Sequence, residues 1–200
     1  MKDNMLEFIK KVQAISQTGL TYLTDPYALE NYAELKEASV RMLESYTGIP
    51  FPESDLYRDY SYPTPQPAVR ALVVQDGKLL MVQEKLSGRW SLPGGWCDVD
   101  LAPAANAAKE VWEESGYEVA CDRLLGVFDR RNYIEKSLYD VYCLYFSAHI
   151  TGGAARPNHE TTAVGWFAID GLPPLSRKNS LEEIQKAYEV YTQKLDAYFE

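Results

Sequence analysis

Three glutamates, Glu110, Glu113 and Glu114, stand at offsets i, i+3 and i+4 in a segment rich in helix-forming residues. On an α-helix these positions share one face within about one turn. Like charges so spaced repel, at about 0.2–0.5 kcal/mol per pair in an isolated helix. The grouping therefore asks for a counter-ion, and a hard divalent cation, Mg²⁺ or Mn²⁺, suits carboxylate oxygens. Taken alone, Glu-x-x-Glu-Glu is commonly a solvated helix face. Pro93-Gly94-Gly95 before it and Gly116 after it favour instead a metal cradle beside a glycine loop.

A helix must carry these acids, and the local residues predict one. Asp100 reads as its N-cap, and Pro103 falls in the first turn, where a missing N–H costs nothing. Ala104, Ala105, Ala107 and Ala108 favour the helix. Leu101, Ala105, Ala108 and Trp112 recur at offsets of 3 and 4 and predict its buried stripe. Gly116 sits where a left-handed residue ends a helix.

The stretch resembles the Nudix box, Gly-x5-Glu-x7-Arg-Glu-(aliphatic)-x-Glu-Glu-x-Gly-(aliphatic). Gly95, Glu110, Val111, Glu113, Glu114 and Gly116 match at the required spacing. Leu101 stands where the box has Glu, Lys109 where it has Arg, and Tyr117 where it has an aliphatic residue. Losing a Glu and an Arg together removes both members of a pair. Lys109 keeps the option of pairing with Glu113 at i+4. The resemblance covers roughly residues 67–175.

The elements around the box follow from periodicity and turn chemistry. Residues 3–47 read as two helices. Phe8, Val12, Ile15 and Leu20 form the stripe of the first; Leu29, Tyr32, Leu35, Ala38, Met42 and Leu43 form that of the second. Asp25-Pro26 opens the second helix and Gly48 through Pro52 stops it. From Ala68 the period becomes that of strands. Val69–Gln75 and Lys78–Gln83 flank Asp76-Gly77, a type I′ hairpin signal. Trp90–Leu92, Leu124–Asp129, Leu138–Ile150 and Val164–Ile169 read as further strands, and Ser180–Tyr198 as a helix opened by a Ser180/Glu183 capping box. The predicted fold is α+β, a Nudix-type α/β/α sandwich with a small N-terminal helical domain. Residues 1–60 are assigned to that helical region and its linker, and residues 61–200 to the Nudix domain.

Composition narrows the function. The net charge of −9 argues against an extended nucleic-acid track, which needs clustered Lys and Arg. No apolar run approaches a membrane span. Three cysteines without CxxC spacing fit a reducing, cytoplasmic compartment. Cys97, in the glycine loop, reads as structural.

Gln17-Thr18-Gly19-Leu20, Asp25-Pro26-Tyr27, the stretch Pro157–Thr161, Trp166-Phe167 and Leu172–Ser176 look similar to a Nudix subgroup that hydrolyses nucleoside diphosphates linked to another group. Its members include ADP-ribose and CDP-choline pyrophosphatases. That resemblance implies an Mg²⁺- or Mn²⁺-dependent pyrophosphohydrolase acting on a small nucleoside diphosphate-X molecule. Glu110, Glu113 and Glu114 would hold the metal, joined by the backbone carbonyl of Gly94. Glu160 would serve as base or extra ligand, and Glu113 and Glu160 are the catalytic assignments. Arg70 and Arg89 are candidate forks for substrate phosphate. Arg130 and Arg131, at a strand end, could also reach a phosphate, though a solvated turn is the simpler reading. Trp90, Trp96, Tyr57 and Tyr60 are the aromatics that could stack a base. His149 and His159 read as structural.

Two short helices cannot bury their apolar faces between themselves. The N-terminal region is therefore expected to form a homodimer and to reach over the partner's active site. Two other readings share the motif: hydrolysis at RNA ends, and a nucleotide-sensing module with a weakened box.

Overall fold

A computed structural model describes residues 3–134 and 137–200. The chain divides into two compact units. The first holds residues up to 65 with residues 137–140, and the second holds residues 66–134 and 141–200.

The first unit is a pair of packed helices, α1 (Asn4–Tyr22) and α2 (Pro26–Thr47). Asp3 caps α1 by accepting from the Leu6 N–H, and Asp25 caps α2 by accepting from Ala28, with Pro26 in the first turn. Gly48 ends α2 in the left-handed conformation. The small apolar core is Leu6, Ile9 and Leu43, with Leu56 and Leu138 against it.

The predicted stripes are corrected here. Phe8 and Ile15 are exposed; the buried face of α1 is Leu6, Ile9, Lys10, Gln13, Ser16 and Gly19. On α2, Ser39, Val40 and Leu43 are buried, while Leu35 and Met42 are exposed. The reason is that distant segments satisfy the buried polar groups. Gln13 donates to the Ser54 carbonyl at 3.0 Å and accepts from Leu56 N–H at 3.1 Å. The Lys10 ammonium reaches Asp140 at 2.7 Å. A polar side chain with partners costs little to bury.

The second unit contains strands β1 (Gln66–Gln75), β2 (Lys78–Glu84), β3 (Trp90–Ser91), β4 (Tyr117–Asp129), β5 (Val141–Gly153), β6 (Thr161–Ala168) and β7 (Tyr198–Phe199). Its helices are α3 (Pro103–Ser115) and α4 (Leu181–Gln193). The mixed sheet runs β3-β2-β1-β5-β4-β7, with β6 also paired to β2. Asp76 and Gly77 both take positive φ in the β1–β2 turn, as a type I′ hairpin requires. β1 and β5 lie parallel at the centre.

The two helices cover opposite sheet faces, and β1 shows why. Its residues alternate across the sheet. Ala68 and Leu72 join the cluster containing Ile184, Ala187 and Val190 of α4. Val69 packs with Ala107 of α3, and Ala71 and Val73 pack with Val111. Both faces are dry, so β1 is a near-continuous apolar run. The fold is α+β, with α3 and α4 sandwiching the sheet. The capping box of α4 forms as Ser180 accepts from Glu183 N–H and the Glu183 carboxylate accepts from Ser180 N–H. α4 stops at Gln193, earlier than its sequence pattern implied, and the chain then adds β7 beside β4. Strand β4 starts directly after Gly116, well before Leu124. Among the described residues, no helix is long and apolar enough to cross a membrane.

Candidate active site

Loop and helix build the site together. After β3 the chain runs beside β1: Ala71 N–H donates to the Pro93 carbonyl, Val69 N–H to Gly95, and Cys97 N–H to Pro67, each at 2.9–3.2 Å. This pins the glycine loop to the sheet. Gly94 sits at φ +146°, and a Cβ there would lie 2.1 Å from the Val69 carbonyl oxygen. A Cβ on Gly95 would lie 2.7 Å from Glu110 Oε2. The glycines thus let sheet, loop and helical carboxylate close on one another.

Helix α3 is capped differently from expectation. Its N-cap is Ala102, without a side-chain hydrogen bond, and Asp100 stands outside the helix at φ +64°. Buried Asn106 does the anchoring instead: its Oδ1 accepts from Asp98 N–H at 2.9 Å and its Nδ2 donates to the Leu101 carbonyl at 3.2 Å. Gly116 ends the helix at φ +79°. The predicted apolar stripe is also corrected. Leu101, Ala105 and Trp112 are exposed, and Asn106, Ala107, Val111, Glu114 and Ser115 face inward. Turning Glu114 to the interior turns Trp112 to the outside, because the two lie about 200° apart around the helix.

Glu114 is the most enclosed acid, its side chain only 4% exposed. Its Oε2 accepts from Gly94 N–H at 2.9 Å, and its Oε1 lies 3.4 Å from the Lys178 ammonium. Burial raises its pKa, opposed by Lys178, the Gly94 N–H and Arg70. Glu110 is half-buried and raised as well, by burial first and then by the charge of Glu114. Its nearest cation is Lys109 at 3.7 Å, and it takes no hydrogen bond among the described residues. Glu113 is turned to Lys109 at 2.6 Å, the i+4 pair foreseen for that position. Lys109 also reaches Asp98 at 3.1 Å, and its own pKa is raised, chiefly by Glu113.

Among the described residues, no three His, Cys, Asp or Glu side chains are gathered into a ready-made ion site. The donor set nevertheless fits a hard cation. Its oxygens are enclosed against two glycines, two of its acids resist ionisation, and Glu110 lacks a hydrogen-bonding partner. The Gly94 carbonyl takes no hydrogen bond among the described residues, which leaves its lone pairs open.

The remaining predicted residues separate. Arg70 lies within β1, 4% exposed, with its fork donating to the carbonyls of Val69 (2.9 Å) and Lys178 (3.4 Å). That geometry makes it a buried charge partner of the acids; its fork is spent on backbone carbonyls, unlike the phosphate clamp expected. Arg89 is exposed between β2 and β3 and donates to the Leu175 carbonyl at 3.3 Å. Glu160 is exposed in a loop held by Asn158, whose Oδ1 accepts from Glu160 N–H at 2.8 Å. The neighbouring Thr161 hydroxyl donates to the Glu114 carbonyl at 2.8 Å, tying this loop to the end of α3. Arg130 is buried rather than solvated; it lies 3.7 Å from Glu183 and donates to the carbonyls of Arg177 and Lys178. Of the four aromatics, Trp90 packs on Phe167 at 4.8 Å and Tyr57 on Tyr60 at 6.0 Å, whereas Trp96 is 52% exposed next to Gly95. His149 pairs with Asp122 at 2.7 Å and His159 with Glu160 at 3.4 Å.

Sequence reasoning missed Lys178, Glu84 and Asn106. Glu84, at the end of β2, accepts from the Ser176 hydroxyl at 2.7 Å and lies 3.9 Å from Lys178. A lone lysine 64 residues after Glu114 carries no local signal.

Residues 64–188 match the family model described as "NUDIX domain", and residues 3–53 match one described as "UDP-X-like, N-terminal oligomerisation domain". The Bacillus subtilis protein YjhB, named as a candidate ADP-ribose pyrophosphatase, is 37% identical over 178 residues, covering 88% of this chain and 86% of its own. A crystal structure of a UDP-X diphosphatase superposes with TM-score 0.66 at 31% identity, covering all of both chains. An ADP-ribose pyrophosphatase from Streptococcus suis superposes with TM-score 0.62 at 37% identity, covering 68% of this chain and all of that one.

Proposed function

Because this chain belongs to the Nudix hydrolase family, we propose that it cleaves the diphosphate bridge of a nucleoside diphosphate joined to another moiety, such as ADP-ribose or CDP-choline, with Mg²⁺ or Mn²⁺. The carrying observation is the enclosed pair Glu110 and Glu114, closed against Gly94 and Gly95 inside the matched domain. UDP-linked compounds join the substrate class on the similarity to the UDP-X diphosphatase.

Glu110, Glu113, Glu114 and the Gly94 carbonyl would hold the metal. When bound, the cation neutralises the non-bridging phosphate oxygens and lowers the pKa of an attacking water. Glu160 accepts the proton of that water: its carboxylate is exposed, on a loop tied to α3 through Thr161. Glu113, released from its pair with Lys109, would turn to the cation as ligand and catalytic carboxylate. Arg70 opposes the burial that raises the pKa of both enclosed acids, and Arg89 is the exposed guanidinium able to reach a phosphate oxygen. The three free thiols suit a cytoplasmic setting.

The N-terminal unit forms the homodimer contact. Met5, Phe8, Val12, Ile15 and Tyr22 of α1 recur at offsets of 3, 4 and 7, and all but half-buried Val12 are exposed. This is the seam spacing of paired helices, and the match to an oligomerisation domain supports a second copy as its cover.

The test is product analysis over ADP-ribose, CDP-choline, UDP-sugars and a 5′-capped RNA with Mg²⁺. The expected products are a nucleoside monophosphate and a phosphorylated second moiety. Glu113→Gln and Glu114→Gln should each lower kcat at least about 100-fold. Turnover of the RNA alone, or near-normal turnover by both variants, would overturn the proposal.

A further inference from the structure

The segment after β6 presents an ammonium to the acids, and its backbone is held with unusual thoroughness. Ser176 N–H donates to the Trp90 carbonyl at 2.8 Å, and its hydroxyl accepts from Lys178 N–H at 3.1 Å while donating to Glu84. The Lys178 carbonyl accepts from both Arg70 and Arg130. Asn179 Oδ1 accepts from buried Leu92 N–H at 2.9 Å, and its Nδ2 donates to the Tyr145 hydroxyl at 2.8 Å. Seven hydrogen bonds, six of them to other parts of the fold, thus fix the stem, while the Lys178 side chain is 37% exposed and ends 3.4 Å from Glu114 and 3.9 Å from Glu84. A fixed base with a long, solvent-reaching arm holds a charge that can change partners.

We propose that Lys178 is an internal competitor for the divalent cation. Its ammonium neutralises Glu114 and Glu84 while the metal is absent, and swings to a substrate phosphate oxygen once the metal takes Glu114. The inference rests on the metal reading above. Its physical basis is that an ammonium and a divalent cation cannot both approach one carboxylate oxygen without mutual repulsion. The displaced charge lies within a side-chain length of any diphosphate bound at these acids. Lysine suits this role because it is a compact point charge on four rotatable bonds, whereas an arginine fork would be committed to one geometry.

Lys178→Met keeps the stem and removes the charge. Two equilibrium measurements on the full chain test the proposal: Mn²⁺ binding by calorimetry without substrate, and binding of a methylene-bridged, non-hydrolysable nucleoside diphosphate at saturating Mn²⁺. The variant should bind Mn²⁺ about 5-fold more tightly, the size of a partly exposed ion pair no longer competed for. It should bind the analogue at least about 5-fold more weakly. Lys178→Arg should move the Mn²⁺ value back toward wild type while restoring analogue binding only in part, since its fork is committed to one geometry. Unchanged or weaker Mn²⁺ binding by Lys178→Met, or unchanged analogue binding, overturns the proposal while leaving the metal reading standing. Failure of the wild-type chain to bind Mn²⁺ overturns both.

Discussion

Helices α1 and α3 break the same rule in different ways. Each turns some polar side chains inward beside its apolar core residues, and some apolar ones outward. On α1 the buried Lys10 and Gln13 have partners in Asp140, Ser54 and Leu56, and the exposed Met5, Phe8, Ile15 and Tyr22 lie at the spacing of a helix seam. On α3 the enclosed Glu110 has no hydrogen bond among the described residues, Glu114 leans on one N–H and one lysine, and Trp112 is exposed. A satisfied buried polar group with an apolar outside marks a helix built to be covered by protein. An under-satisfied buried charge marks a helix built to take a ligand, because only a ligand completes it.

The seam can be broken outright. Phe8→Asp with Ile15→Asp places two charges on it and leaves the Leu6, Ile9 and Leu43 core untouched. Sedimentation should show a dimer for the wild-type chain and a monomer for the double variant at micromolar concentration, a loss of affinity of about 100-fold or more. A wild-type monomer would contradict the account of α1.

The charge on α3 can be relieved more gently. Glu110 has its pKa raised in the fold, so its stabilising, protonated form prevails below the unfolded value near 4.5, and that contribution is lost as pH rises through the folded value. At pH 7 without metal, less of that stabilising contribution therefore remains than at pH 4. Glu110→Gln should raise Tm by a few degrees at pH 7 in EDTA, with the gain shrinking toward pH 4. Excess Mg²⁺ should narrow or reverse the gain, since the cation then stabilises only the wild type. A lower Tm for the variant in EDTA would mean that Glu110 is structurally satisfied, as Lys10 is.

Local signals in the sequence were legible where the chemistry was local. Asp25-Pro26, the Ser180/Glu183 box, Asp76-Gly77 and the terminal Gly116 each satisfy or shape a backbone within four residues, and each stands in the structure as read. Face assignment failed on both α1 and α3 because the deciding partners are remote. Nothing near Gln13 announces Ser54, and nothing near Glu114 announces Lys178. Asp100 failed as a cap because Asn106 holds the loop from within the helix, a role that only the turn of the loop reveals. The box spacing gave the acids themselves, but Glu113 paired to Lys109 shows that spacing alone does not gather them. Strand β7 went unread because two residues carry no period.

The central claim is that the acids of α3 act through a divalent cation. The most direct measurement is the rate of diphosphate cleavage by the wild-type chain in excess EDTA and after Mg²⁺ or Mn²⁺ is returned, using the best substrate of the panel. Turnover should vanish with the chelator and recover with the metal. Full activity in excess EDTA would contradict the account.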